Sequence, residues 1–138
     1  MIAANRAPAG RDAEAVGSAA AVLSFLRCLV GAGTWVRPSA SYKTFGLWAL
    51  EDPSAELVGR LFGVRDLALG YAARHRNVEV RHAALRAGVA CDSVDVVATL
   101  IALRRGAPRA SGVLVGGGAA LFAALGLAAL NQDRAARA

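Results

Sequence analysis

The sequence predicts an all-α integral membrane protein, a four-helix bundle with antiparallel neighbours. Composition, segmentation and small-residue content carry that reading. Of the 138 residues, 56% are hydrophobic, and the mean hydropathy is +0.42, both high against ordinary soluble usage. Four long apolar runs are separated by basic connections. Only 6% of the chain is aromatic while 15 residues are glycine, so the apolar mass is mostly Ala, Leu, Val and Gly. Small residues at that density suit membrane helices, which associate by close packing rather than by a hydrophobic force. A chain of this length forms one domain.

The net charge of +6 and a pI near 10.6 do not indicate nucleic acid. The arginines are scattered between apolar runs rather than gathered on a face with aromatics. Positive charge flanking membrane helices accounts for them. Cys28 and Cys91 each sit inside an apolar run, with no CxxC and no second ligand nearby, so they read as small buried hydrophobes. No metal or cofactor is expected.

Residues 1–14 are Ala-, Pro- and Gly-rich and read as a mobile tail. The apolar run that follows is too long for a cleaved signal peptide and contains Arg27. The first helix is expected over 15–36, about the twenty residues needed to cross the hydrocarbon. On a wheel of roughly 100° per residue, Ala20, Ser24, Arg27, Gly31 and Thr34 share one face. The helix's only charge therefore points into the bundle. Trp35 sits at the exit, and Pro38 ends the helix.

Residues 37–52 form the longest connection. Tyr42, Phe45 and Trp48 are spaced as one face of a short helix at the headgroup level; a lid over a site is the alternative. Asp52 and Pro53 open the second helix, 53–73, as N-cap and first residue. Glu56 and Arg60 form an i,i+4 pair there. Within GRLFGVRDLALG, the residues Gly59, Gly63, Asp66 and Gly70 share a narrow face that another helix can approach closely. His75 and His82, in basic surroundings, read as solvated residues.

The third helix is expected over 80–103. Gly88, Asp92, Asp95 and Thr99 lie along one face, with Arg81 nearer the interface and Arg86 pointing elsewhere. The fourth, 111–130, carries no charge, and Gly112, Gly116, Ala120 and Ala123 form its docking seam. Residues 133–138 form a tail that leaves the membrane. If all four helices span, Arg6, Arg11, Arg74, Arg76, Arg81, Arg134 and Arg137 fall on one side. Arg37, Lys43, Arg104, Arg105 and Arg109 fall on the other. That bias places both termini in the cytoplasm and the chain in the inner (plasma) membrane.

Depth gives the sharpest expectation. Arg27, Asp66 and Asp92 each lie near the middle of a helix, so antiparallel packing brings them to the bilayer midplane. An isolated charge there costs at least about 2.5 kcal/mol, so the charges are expected to pair. Arg27 should meet Asp66 and Asp92, and Arg65 should reach Asp95 or a neighbouring subunit. Three carboxylates against two guanidiniums leave one Asp in excess, and that carboxyl is expected to hold a proton.

The run from Gly63 to Gly70, with the later Asp92 and Asp95, resembles a family of small four-helix bacterial membrane proteins catalogued as a domain of unknown function. In size and helix count the chain is also similar to the DoxX-like membrane proteins. The resemblance covers most of Ala21 to Leu130 and implies a fold, without an activity or catalytic residues.

Two classes of function follow. In the first, the Arg/Asp cluster fixes helix pairing in a component that binds a lipophilic molecule or a partner. In the second, Asp66, Asp92 and Asp95 supply acid and base while Arg27 or Arg65 holds a developing anion. Such a site could isomerise, hydrate or cyclise a lipid-soluble substrate, or carry protons. The expected partners are the bilayer, a lipophilic small molecule and a second copy meeting through glycine-rich faces. A soluble bundle is disfavoured, because the last helix has no charged face.

Overall fold

The structure is a computed structural model that describes residues 16–45, 47 and 53–138. The expected tail at 1–14, the anchor role of Trp48 and the capping role of Asp52 lie outside the described residues. Within them the chain is helical, with no strand. It forms α1 (Ser18–Val36), α2 (Pro38–Thr44), α3 (Pro53–Ala72), α4 (Val78–Arg104) and α5 (Arg109–Ala135). The count among the described residues is thus five: four long helices, and the short α2, which carries Tyr42 but ends before Phe45. Two of them, α1 and α5, are long and apolar enough to cross a membrane.

Local sequence explains most of the boundaries. Pro38 cannot continue α1 and instead opens α2 at its first turn. Asn77 caps α4 by accepting the N–H groups of Glu79 and Val80 at 2.8 and 3.4 Å, so this helix starts at Val78 rather than Val80. Gly106, at φ 95°, ends α4 in the left-handed region. The Gly106 and Ala107 N–H groups donate back to the carbonyls of Leu103 and Ala102, and Pro108 follows. In α5 a π turn spans Gly112–Gly116.

The buried residues of α3 are Gly59, Gly63, Asp66 and Gly70, the face read from their spacing. Those of α1 include Ala20, Ser24, Arg27, Gly31 and Thr34, again the expected face. The two helices run antiparallel in tight register, with Gly31 facing Gly63 and the Ser24 Oγ donating to the Gly70 carbonyl at 2.6 Å. This register, rather than a common midpoint, sets the level of Asp66, which lies about one turn past the middle of α3.

The apolar core sits toward the end of the bundle that carries the α3–α4 turn. There Ala19, Ala20, Leu23, Ala73, Leu85, Ala129 and Leu130 pack together, with Val16, Phe122 and Leu125 against them. The seam expected on α5 is partly displaced. Gly112 and Gly116 do face Leu103 and Thr99 of α4, but Ala120 is exposed, and Ala119, Gly126, Ala129 and Leu130 are the buried residues below them. The π turn changes the phase of the wheel, which a uniform 100° step does not anticipate. The helix also continues to Ala135, with Asp133 buried.

Candidate functional site

Five charged side chains from α1, α3 and α4 form one continuous ionic chain across the bundle. Arg27 lies at its sealed end. Its Nη1 donates to Asp66 Oδ1 at 2.8 Å, and its Nη2 donates to Asp92 Oδ2 in a very close contact. Arg65 Nη2 stands 3.5 Å from the same Asp66 oxygen and donates to Asp95 Oδ2 at 2.9 Å. The order is therefore Asp92, Arg27, Asp66, Arg65, Asp95. Both expected pairings are present, and Arg65 also links them through Asp66.

Glycine makes the sealed end possible. A Cβ on Gly88, one turn before Asp92 on α4, would fall 2.9 Å from Arg27 Nη2. A Cβ on Gly70 would fall 3.1 Å from the Cβ of Arg27. Phe122 of α5 closes the remaining side, with the guanidinium carbon 4.9 Å from its ring centroid, a cation–π contact that strengthens as water is excluded. All four long helices thus contribute to holding one arginine.

Burial falls along the chain. The side chains of Arg27 and Asp92 are each 2% exposed, and Asp66 is 11% exposed. Arg65 and Asp95 are 28% and 25% exposed, and Arg65 lies against the ring of Phe62 at 4.9 Å. If every group is ionised, three carboxylates against two guanidiniums leave a formal charge of −1. At the sealed end the Arg27 guanidinium is bracketed by Asp66 and Asp92. Only the Arg65–Asp95 end is accessible from outside the bundle.

A second ionic cluster was not foreseen. Arg81, fully buried, donates through Nε to Asp133 Oδ2 at 2.9 Å, and His82 Nε2 lies 3.0 Å from the same oxygen. His82 is half-buried, not solvated as expected. Arg81 is buried on the same side of α4 as Gly88 and Asp92, and its pairing with Asp133 is the part that was not expected. Asp133 continues the stripe of Gly126, Ala129 and Leu130 by one more turn, and that spacing could have revealed it. Among the other expectations, Glu56 and Arg60 stand 3.8 Å apart and exposed, and Cys28 and Cys91 are free and half-buried.

The Tyr42 hydroxyl makes a very close contact with the Ala55 carbonyl, and Ser39 Oγ donates to Glu56 at 2.7 Å. The short α2 is thereby fastened to the start of α3.

No protein-family model, curated protein or solved structure matches the chain.

Proposed function

We propose that this is a small multi-pass membrane protein in which the Arg27-centred ionic chain specifies helix pairing, and which serves as a structural or binding component for a lipophilic molecule or partner. The observation that carries this reading is the enclosure of Arg27. It is 1% exposed, with two carboxylates and an aromatic ring around it. A buried ion network of this kind is well suited to fixing which helices pair and in what register.

The membrane part rests on the outer surface. Leu57, Val58, Leu61, Phe62 and Val64 of α3 are exposed, as are Val94, Val97, Leu100 and Ile101 of α4. Asp66 and Asp92 point the other way. All four long helices then span, both termini lie in the cytoplasm, and the bacterial inner membrane is the host. Most glycine faces are occupied within the chain. A second copy would find open glycines at Gly117 and Gly118 of α5, where a Cβ would meet nothing within 4 Å.

The alternative, an intramembrane acid–base enzyme, draws on the accessible Arg65–Asp95 end. Complementation of a deletion strain separates the two. Arg65→Met with Asp95→Leu removes the accessible pair and leaves Arg27 held between Asp66 and Asp92. A structural joint tolerates that exchange and the strain is rescued. A folded, membrane-inserted double variant that fails to rescue overturns the structural reading in favour of chemistry at the cluster.

A further inference from the structure

A half-open pocket of about 510 Å³ lies where α1 meets the α3–α4 turn, and none of the five residues of the ionic chain lines it. It is lined by Ser24, Cys28, Tyr71, Arg74, His75 and Arg76. Ser24 and Cys28 are one turn apart on α1 and form its floor against Gly70. A Cβ on Gly70 would fall 3.0 Å from Cys28 Sγ, so glycine keeps the helices close there. The one hydroxyl on the floor is already used, since Ser24 Oγ donates to the Gly70 carbonyl. The floor and walls therefore present mainly apolar surface.

The mouth is different. Arg74, His75 and Arg76 are all exposed on the turn, and none of the lining residues is acidic. Among the described residues, neither Arg74 nor Arg76 has an ion-pair partner. The turn is held in shape from below. Arg81 Nη1 donates to the His75 carbonyl at 3.3 Å, and the Asn77 N–H donates to His75 Nδ1 at 3.1 Å. That bond leaves Nε2 as the protonated nitrogen of a neutral ring, a third donor at the mouth.

From this arrangement we infer that the pocket is a site for an anionic glycerophospholipid, its phosphate between Arg74, His75 and Arg76 and the start of one acyl chain along Ser24, Cys28 and Tyr71. Charge complementarity selects the head, and the apolar floor selects a lipid over a soluble phosphate. The inference rests on the membrane reading above, in which this turn faces the cytoplasmic leaflet, where anionic lipids attract basic pockets between helices.

Carbonate extraction of membranes comes first: a full-length chain that washes off overturns the membrane reading and the lipid site together. For the chain that stays, native mass spectrometry from detergent compares retained phosphatidylglycerol with phosphatidylcholine of the same acyl chains. Each arginine near the head should contribute about fivefold, so the wild type should prefer phosphatidylglycerol by about twenty-fivefold. Arg74→Gln with Arg76→Gln should abolish the preference. Arg104→Gln with Arg105→Gln, an equal charge loss at the opposite end, should leave it intact. Equal retention of the two lipids by the wild type overturns the site without touching the membrane reading, as does an equal loss in both double variants. Displacement of phosphatidylglycerol by an equal concentration of inorganic phosphate overturns the lipid as the occupant.

Discussion

Gly31 of α1 and Gly63 of α3 meet backbone to backbone. A Cβ built on either would fall 2.7 Å from the carbonyl oxygen of the other. In each case the nearest opposing atom is main chain and cannot swing aside. This crossing point sets the α1–α3 register and brings Arg27 level with Asp66 one turn away.

Gly63→Leu should therefore destabilise the bundle by about 1–3 kcal/mol or more, the usual range for overpacking. Gly118→Leu, into open space, should be neutral or stabilising by up to about 1 kcal/mol from helix propensity. Thermal unfolding in detergent ranks them.

Topology gives an independent test. In a chain with Cys28 and Cys91 replaced by Ala, Lys43→Cys should react with an impermeant thiol reagent added to intact spheroplasts. Arg76→Cys should react only after lysis. Labelling of Arg76→Cys alone would reverse the orientation, and labelling of both would break the four-span arrangement.

Much of the site was legible in the sequence because helical periodicity sorts residues by face. The spacing of Gly59, Gly63, Asp66 and Gly70, and of Ser24, Arg27 and Gly31, needs only a regular helix to place the charges inward. Their pairing then follows from the cost of leaving them alone in an apolar medium. What the wheel could not give was phase after an irregular turn. The π turn at Gly112–Gly116 put Ala119 inward and Ala120 outward. Nor could hydropathy find the end of α5. Asn131 to Arg134 look like an exit from the membrane, yet Gln132 turns back to α1 and accepts the Ala19 N–H at 3.1 Å. Asp133 meets Arg81 across 52 residues of sequence.

That last contact makes the carboxyl end part of the folded domain. Asp133→Ala removes the acceptor shared by Arg81 and His82 and should cost about 3–5 kcal/mol, because the fully buried Arg81 loses this carboxylate as its counter-charge. Arg134→Ala, at an exposed position, should change stability by less than about 0.5 kcal/mol. Equal and negligible effects would mean that Asp133 belongs to a dispensable tail.

The most direct test of the ionic joint is a double-mutant cycle between Arg27 and Asp92, read as unfolding free energy in detergent or lipid discs. Asp92 is the better partner to remove, because Asp66 keeps Arg65 at 3.5 Å while Arg27 is the side chain that pairs with Asp92. Arg27→Met alone should cost about 3–5 kcal/mol, since it leaves Asp92 buried without its counterpart, and Asp92→Leu alone about 1.5–3 kcal/mol, since Arg27 keeps Asp66 but loses the acceptor of its Nη2. The double variant replaces both by apolar atoms and should be more stable than either single, near the wild type. A double variant whose loss equals or exceeds the two single losses combined would contradict the pairing on which the bundle's register is argued to rest.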